Sequence, residues 1–228
     1  AMVSVPRSLA EPTLTHQINA TGTLTVLEAA RKASVRRLIY AGSSSCYGNT
    51  IEKVQSELHV PAPISPYGAA KLAGEQYCHA FYRSYGLETV TLRYFNVFGP
   101  RQDPTSPYSA VIPLFITAML RGETPTIFGD GMQSRDFTYI ENIVHGNLLA
   151  ADIEIVSGEP INMANGESTS LLDVVALINK HLAPEEQTSE AFEPIEPMFA
   201  AARKGDILHS RADIERAMSQ LQYESQVD

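Results

Sequence analysis

The stretch Arg37-Leu38-Ile39-Tyr40-Ala41-Gly42-Ser43-Ser44-Ser45 decides the fold class. A short, mostly apolar run that stops at a glycine and three serines is typical of a buried parallel strand ending in a polar loop. Ser65-Pro66 then opens a helix as N-cap and first-turn proline, and Gly86 closes it after Tyr85. Residues 89–93 form the next strand. This order of strand, loop, helix and strand predicts an α/β fold with a doubly wound parallel sheet.

The remaining chain adds one regular helix and a less regular second half. Apolar spacing predicts further elements, which are a helix at about 12–33, a helix at 108–121, strands at 126–128 and 134–140, a helix at 141–152 and a helix after Ser170 and Asp173. We place a domain boundary after residue 96. Residues 1–96 then form one domain and 97–228 a smaller α+β lobe, with 134–152 a candidate to pack back onto the first domain.

Composition excludes several classes of function. The 228 residues are 44% apolar and 19% charged, as in soluble globular proteins. The formal charge of 17 minus 26, or −9, argues against a nucleic-acid-binding surface. No apolar run approaches the roughly 20 residues that span a bilayer. The six histidines and two cysteines, Cys46 and Cys78, lack metal-ligand spacing, so we expect no metal site and a cytoplasmic protein with reduced thiols.

Polar residues follow both strands and open the helix between them. Ligands bind beyond the carboxyl ends of strands in such sheets, so these residues should line one crevice. Tyr67 and Lys71 are four apart and share a helix face. A nearby ammonium lowers the pKa of a tyrosine from about 10, and the hydroxyl of Ser43 can relay the proton. Taken alone, the pair is also compatible with an ordinary solvated helix face.

The chain resembles a known family along almost its whole length. The motifs that carry the resemblance are INATGT (18–23), SSSCYG (43–48), SPYGAAK (65–71), LRYFNVFGPRQDP (92–104), SRDFTYIEN (134–142) and KGDILHSRADIERA (204–217). They are similar to those of the extended short-chain dehydrogenase/reductases, and within them to UDP-sugar 4-epimerases. The resemblance implies a Rossmann-like sheet, a dinucleotide-binding first domain, an NAD cofactor and a UDP-sugar substrate.

The resemblance also implies roles for the residues of the crevice. Ser43 is then the catalytic hydroxyl, Tyr67 the acid/base, and Lys71 the residue that holds the nicotinamide ribose and tunes Tyr67. Asn19, Tyr94 and Phe95 are expected around the cofactor. In the implied reaction Tyr67 takes the proton of the sugar 4-hydroxyl while hydride moves from C4 to NAD, and hydride returns to the other face of a 4-keto intermediate.

The substrate residues follow from the same resemblance. They are Ser4 in the loop 3–8, Ser44 and Ser45, Asn96 near the phosphates, Thr126 and Phe128 at the uracil, Arg135 and Arg203 on the phosphates, and Asp206 on a ribose hydroxyl. Guanidinium groups suit phosphate oxygens, although either arginine could equally form a salt bridge. Ser210 should lie beside C2 of the sugar and leave room for an N-acetyl group. Alternatively, Ser210 caps a helix over 211–221.

Three departures and alternatives remain. The 14 glycines form no G-x-G-x-x-G pattern. We therefore expect the family's pyrophosphate-binding turn roughly 80 residues before the first residue of this sequence. We therefore expect weak NAD binding and an exposed apolar sheet edge in this chain. Dehydratases of the family carry carboxylates directly after the catalytic hydroxyl. This chain has Ser44 and Ser45 at those positions, which argues against dehydration. A UDP-uronic acid epimerase or decarboxylase, and a non-catalytic nucleotide-sugar-binding protein, stay as alternatives.

Assembly is the last expectation. By similarity to relatives we predict a homodimer that packs the helices at about 12–33 and 66–85 as a four-helix bundle. The second helix carries apolar and aromatic side chains around much of its circumference, which favours such packing; they are Leu72, Tyr77, Phe81, Tyr82 and Tyr85.

Overall fold

The structure is a computed structural model that describes residues 1–50, 52–103, 110–154, 156–183, 192–202 and 208–227. Its helices are α1 (Val5–Ala10), α2 (Pro12–His16), α3 (Gly22–Lys32), α4 (Pro66–Tyr85), α5 (Val111–Leu120), α6 (Ile140–Asp152), α7 (Leu171–Leu182) and α8 (Glu215–Leu221). Its strands are β1 (Arg37–Ala41), β2 (Val54–Gln55), β3 (Glu88–Tyr94), β4 (Val97–Phe98), β5 (Thr126–Phe128), β6 (Ser134–Arg135), β7 (Thr138–Tyr139), β8 (Pro160–Met163), β9 (Thr169–Ser170), β10 (Met198–Ala200) and β11 (His209–Ala212). None of these helices is both long and apolar enough to cross a bilayer.

A parallel sheet of β1, β3 and β8 forms the centre of the fold, with β3 in the middle. Its central strand is almost entirely buried, as expected for a sheet that helices cover on both faces. Leu27 of α3 and Phe81 of α4 pack on one face, while Ile143 of α6 and Leu221 of α8 pack on the other. The predicted Rossmann-like doubly wound fold is confirmed.

The division at residue 96 stays a prediction, but one strand crosses it. Strand β8 pairs with β3 in the register Leu92↔Ile161, although the sequence analysis assigned residues 160–163 to the second lobe. Helix α6, which was a candidate to return, packs against this sheet through Ile143. The other strands form short sheets, in the orders β2-β11-β6-β9, β10-β5 and β4-β7.

Helix α4 begins and ends where the sequence predicts. The Ser65 side chain accepts a hydrogen bond from the Gly68 N–H at 3.1 Å, and Gly86 ends the helix in the left-handed conformation with φ 69°. Gly68 also permits a close approach, because a Cβ at this position would lie 2.6 Å from the carbonyl oxygen of Ser45. The start of α4 is therefore seated directly on the serine loop.

The predicted helix over 12–33 is present but contains a wider turn. Residues Gln17–Thr21 form a π-helical turn between α2 and α3. Within this turn the Asn19 side chain accepts from the Met2 N–H at 2.7 Å and donates to the Met2 carbonyl at 3.0 Å. Both polar atoms of the Asn19 amide are thus used to hold residue 2, which the sequence pattern did not indicate.

Two predictions in the second half were wrong. The expected strand over 134–140 is split into β6 and β7, which belong to different sheets. The expected helix over 211–221 starts only at Glu215, because residues 209–212 pair instead with β2 and β6. The alternating exposure of His209–Ala212 along β11 fits a strand with one buried face. Tertiary pairing here overrides local helix signals.

Candidate functional site

A cavity of about 520 Å³ opens beyond the carboxyl ends of β1 and β3. It brings together many of the side chains that the sequence analysis selected, namely Ser43, Ser44, Ser45, Tyr67, Tyr94, Asn96, Arg135 and Ser210. Val3, Gln55 and Gln102 also line it. This position, at the carboxyl end of a parallel sheet, is where open α/β proteins bind ligands. We refer to it as the main cavity.

The serine loop and the start of α4 form one side of the main cavity, which we call the helix wall (Ser43, Ser45 and Tyr67). The Ser43 and Ser45 hydroxyls lie 2.8 Å apart, and the Ser45 N–H donates to the Ser43 hydroxyl at 3.2 Å. Burial raises the pKa of Tyr67, while a side-chain hydrogen bond with Ser43 opposes that rise. Ser43 therefore lies close enough to Tyr67 to influence its pKa, as expected of an acid/base pair.

Lys71 lies one helical turn after Tyr67 and is 6% exposed. Its ammonium donates to the Ala41 carbonyl and lies 4.5 Å from the centre of the Tyr40 ring. Burial lowers the pKa of Lys71 to about 8. The expected lowering of the Tyr67 pKa by Lys71 is not found, because the ammonium is directed to the end of β1 and burial dominates at Tyr67.

A second crevice, of about 410 Å³, runs along β1 on the side of α3. Lys71 and Asn19 line it together with Gly22 and Tyr40. An ammonium has three N–H donors, and the Ala41 carbonyl takes one of those of Lys71. A buried cation with donors to spare beside an open crevice fits the ribose of a dinucleotide, so these residues are compatible with NAD.

The other expected cofactor residues have different surroundings. Tyr94 lines the main cavity and donates its hydroxyl to Asn147 at 3.0 Å. Phe95 is fully buried and packs with Tyr47 and Cys46 in a core cluster. Its expected position beside the cofactor stays a prediction. A strand side chain following Tyr94 points to the opposite face, and here that face is the core.

A smaller cavity of about 280 Å³ adjoins the main one. Thr126 and Phe128 line it, and Asn96 and Arg135 line both cavities. The Asn96 side chain donates to the Asp136 carbonyl at 3.1 Å, while Arg135 donates to the Ser134 carbonyl at 2.9 Å. A guanidinium thus lies at the junction of the two cavities, between the residues expected at the sugar and those expected at the uracil.

Strands β2, β11 and β6 form the opposite side of the main cavity. The register pairs Ala212 with Gln55 and Ser210 with Arg135. Side chains two apart on a strand share a face, as do paired residues across parallel strands. Gln55, Ser210 and Arg135 therefore lie on one face, and all three line the cavity. We call them the strand wall.

A buried carboxylate holds the strand wall together. Asp136 accepts hydrogen bonds from the backbone N–H groups of Asn165 and Gly166 at 3.0 Å and of Ala212 at 3.1 Å. Burial raises the pKa of Asp136 to about 6, and the backbone donors oppose that rise. The carboxylate links the end of β6 to β11, which fixes Arg135 relative to Ser210.

Two of four further expectations about substrate residues can be compared with the structure. Ser210 does not cap a helix, since its strand residues are paired and α8 begins at Glu215. Ser4 is absent from the cavity lining that the structure describes, and its hydroxyl instead accepts from the Arg7 N–H at 3.0 Å at the start of α1. Arg203 and Asp206 lie outside the described residues.

Sequence reasoning missed two glutamines in the main cavity. Gln55 belongs to a strand of only two residues and lies in no motif. Gln102 ends the FGPRQ stretch of the motif over 92–104, but the sequence analysis gave this residue no role. A polar residue facing inwards on a short strand could have been suspected only if the pairing of β2 with β11 had been known.

Comparisons with known proteins agree with this geometry. Residues 1–164 match the family described as NAD dependent epimerase/dehydratase. A UDP-glucose 4-epimerase of Mycolicibacterium smegmatis is 34% identical over 228 residues, which is 100% of this chain and 69% of that protein. The chain spans between 62% and 69% of the length of three curated relatives that it matches.

Two solved structures share the fold over the whole chain. One is a UDP-N-acetylglucosamine 4-epimerase from Methanobrevibacter ruminantium M1 in complex with UDP-N-acetylmuramic acid, with a TM-score of 0.91, 39% identity and 70% of its chain covered. The other is a UDP-glucose 4-epimerase with UDP-glucose from Thermotoga maritima, with a TM-score of 0.91, 35% identity and 71% of its chain covered. On the motifs, the fold and these matches, the chain belongs to the NAD-dependent epimerase/dehydratase family, in the extended short-chain dehydrogenase/reductase group and among its UDP-sugar 4-epimerases.

Proposed function

We propose that the protein inverts C4 of UDP-hexoses and that its substrates include UDP-N-acetylglucosamine and UDP-N-acetylgalactosamine. The observation that carries this proposal is the position of Ser43, Tyr67 and Ser210 in one cavity. The first two supply acid/base chemistry for a hydroxyl. The third is a small residue on the opposite wall, which leaves room for a substituent larger than a hydroxyl.

Tyr67 carries the proton transfer in this proposal. Its pKa is raised by burial, so at neutral pH it is a phenol that donates a proton, and it needs a neighbouring cation to act as a base. Lys71 is one turn away on the same helix face and has donors to spare. Ser43 contacts Tyr67 and, through its 2.8 Å contact with Ser45, holds a hydroxyl chain along which a proton can move.

Lys71 and the crevice beside β1 would hold the cofactor. The chemistry that NAD supplies when bound is acceptance of hydride from C4 of the sugar and its return to the opposite face. In this chain Tyr67, as the phenolate that a cation such as Lys71 favours, would accept the proton of the 4-hydroxyl when hydride leaves C4 and return it when hydride comes back, while Ser43 holds the 4-oxygen. The partly buried cavity limits the access of water to the 4-keto sugar.

The two cavities match the two ends of a nucleotide sugar. Arg135 lies where they meet, and its forked donors suit a diphosphate that joins sugar and nucleoside. The smaller cavity offers Phe128 for stacking and Thr126 for hydrogen bonding to a uracil. The sugar then occupies the main cavity, with its 4-hydroxyl towards the helix wall.

A direct assay tests the proposal. The full-length protein, supplied with NAD, should convert UDP-N-acetylglucosamine to UDP-N-acetylgalactosamine and UDP-glucose to UDP-galactose, as measured by NMR of the sugar anomeric protons. UDP-glucuronate belongs in the same panel. Turnover of UDP-glucuronate alone would favour the uronic acid alternative, whereas binding without any turnover would favour a non-catalytic nucleotide-sugar-binding protein.

We also propose a homodimer through the helices at 12–33 and 66–85. The support is apolar surface on those helices away from the crevice beside β1, where Leu14, Tyr77 and Tyr85 are exposed in the single chain. Because apolar surface of this kind is usually covered, a second copy is the expected occupant. A monomer mass by light scattering of the full-length protein at micromolar concentration would contradict this proposal.

A further inference from the structure

Gln55 is a buried polar residue for which the reaction described above has no use. It is 2% exposed, and it belongs to the strand wall of the main cavity. Glutamine is seldom buried so completely unless its amide is hydrogen-bonded. Its surroundings therefore call for an explanation.

The backbone of Gln55 is firmly held. Its carbonyl accepts from the Asn162 side chain at 2.9 Å and from the Asp213 N–H at 2.9 Å. Strand pairing with Ala212 adds a third constraint. The side chain consequently extends from a fixed point on the strand wall, which suits a residue that contacts one defined group of a ligand.

The side-chain oxygen of Gln55 is unsatisfied. Among the residues that the structure describes, Oε1 has no hydrogen-bond partner and almost no exposed surface. A buried acceptor without a partner is unfavourable, because its hydrogen bonds to water are lost on folding and nothing replaces them. Oε1 of Gln102, which also lines the main cavity, shares this condition, whereas Asn142 and Asn162 are satisfied by their neighbours. Because Gln55 lines the main cavity, a ligand there can supply the missing donor once the amide turns towards it.

The neighbours of Gln55 indicate which part of a ligand it meets. Ser210 is buried on the same face of the same small sheet, one strand away and two residues along. Diagonal neighbours of this kind are about 7–8 Å apart between Cα atoms, within the joint reach of a glutamine and one ligand group. The helix wall with Tyr67 lines the same cavity, so the two walls can contact different positions of one sugar ring.

We propose that the carboxamide of Gln55 hydrogen-bonds the acetamido group of a UDP-N-acetylhexosamine and makes Gln55 a specificity-determining residue. A carboxamide offers one acceptor and two donors, and an acetamido group offers one N–H and one carbonyl. The N–H and the carbonyl of a trans acetamido group point in opposite directions, so the Gln55 carboxamide bonds one of them. Its Nε2 can donate to the acetamido carbonyl, an acceptor that extends further from the ring than a hydroxyl at the same position and that UDP-glucose lacks. This inference rests on the proposed function.

Binding measurements on the full-length protein test the inference without requiring turnover. Gln55→Met keeps the length of the side chain and removes its hydrogen bonds. We expect it to weaken binding of UDP-N-acetylglucosamine about 10- to 100-fold, to weaken UDP-glucose less than about threefold, and to leave the affinity for UDP unchanged. Isothermal calorimetry gives all three dissociation constants. Gln220→Met, on the exposed face of α8, is the matched control and should change none of them.

Two outcomes overturn the inference. Equal weakening of both sugars means that Gln55 contacts a hydroxyl common to them, and unchanged affinity for both means that it contacts neither. If Gln55→Met also loses UDP, Gln55→Asn decides, since it keeps the carboxamide but shortens it, and it must weaken the N-acetylated ligand selectively.

The proposed function fails separately from the inference. Wild-type protein that binds UDP-N-acetylglucosamine but does not epimerise it contradicts the function alone. Wild-type turnover of this sugar together with unselective Gln55 variants contradicts the inference alone.

Discussion

The helix wall and the strand wall of the main cavity hold their polar side chains in different ways. On the helix wall, Ser43 follows strand β1 and Tyr67 lies in the first turn of helix α4. Gly68 lets α4 pack closely against the serine loop. On the strand wall, Gln55, Arg135 and Ser210 come from three distant segments that meet only through strand pairing. The first arrangement is largely local, whereas the second depends on the whole second half of the chain.

This difference suggests that the two walls have different roles in the reaction. The local arrangement fixes the relative positions of proton-transferring groups, which tolerate little displacement. The strand wall contributes one residue per strand, so each position can differ without disturbing the others. We therefore expect changes on the helix wall to affect all substrates, and changes on the strand wall to affect some substrates more than others.

The largest effect is expected from Tyr67→Phe. Removing one oxygen leaves the ring packing intact but abolishes the acid/base group, so turnover of every UDP-hexose should fall by roughly 10²–10⁴-fold. Initial rates and the thermal midpoint of the full-length variant measure this. A variant that keeps more than about a tenth of wild-type turnover would show that Tyr67 does not carry the proton.

A selective effect is expected from Ser210→Tyr. A ring on the strand wall would occupy the space for an N-acetyl group, so turnover of N-acetylated sugars should fall about 10- to 100-fold more than turnover of UDP-glucose. Ser210→Ala, which adds no bulk, should keep the wild-type preference and serves as the control. Equal losses for both classes of sugar would remove Ser210 from the specificity argument.

Gly68→Ala tests the contact that joins α4 to the serine loop. The new Cβ would meet the Ser45 carbonyl oxygen at 2.6 Å, so we expect a loss of about 1–3 kcal/mol in the free energy of unfolding. Gly22→Ala is the control, because its Cβ would meet nothing closer than 3.7 Å and alanine favours a helix. In urea titrations, Gly68→Ala should unfold at a lower urea concentration than wild type and Gly22→Ala at a higher one. If both variants are equally stable, the close contact is unimportant.

The smallest effect concerns pH and Lys71. Its pKa of about 8 in the folded protein lies below the ordinary value of 10.5, so the buried charge destabilises the fold at neutral pH. This penalty shrinks as pH rises from 8 towards 10.5, where the unfolded chain also loses the proton. Between pH 7.5 and 9.5, wild type should therefore gain about 1–2 kcal/mol in unfolding free energy relative to Lys71→Met. Parallel pH dependence of the two proteins would mean that Lys71 is not perturbed.

The same contrast explains what could be predicted from the sequence. The order of β1, α4 and β3 follows from apolar runs, Ser65-Pro66 and Gly86, which act within a few residues of themselves. The core position of Phe95, directly after β3, was not indicated by the sequence because packing decides which side of the chain faces the core. Gln55 was missed and the strand at Ser210 was taken for a helix start, since both depend on the pairing of β11 with strands 157 residues (β2) and 75 residues (β6) away along the chain.

One structure would test the central claim, which is that both walls contact a single sugar. The Tyr67→Phe variant of the full-length protein, crystallised with NAD and UDP-N-acetylglucosamine, should retain the substrate. We predict the sugar 4-hydroxyl within hydrogen-bond distance of Ser43, the acetamido group beside Gln55 and Ser210, and the uracil between Thr126 and Phe128. A sugar bound with its acetamido group on the helix wall, or outside the main cavity, would contradict the account.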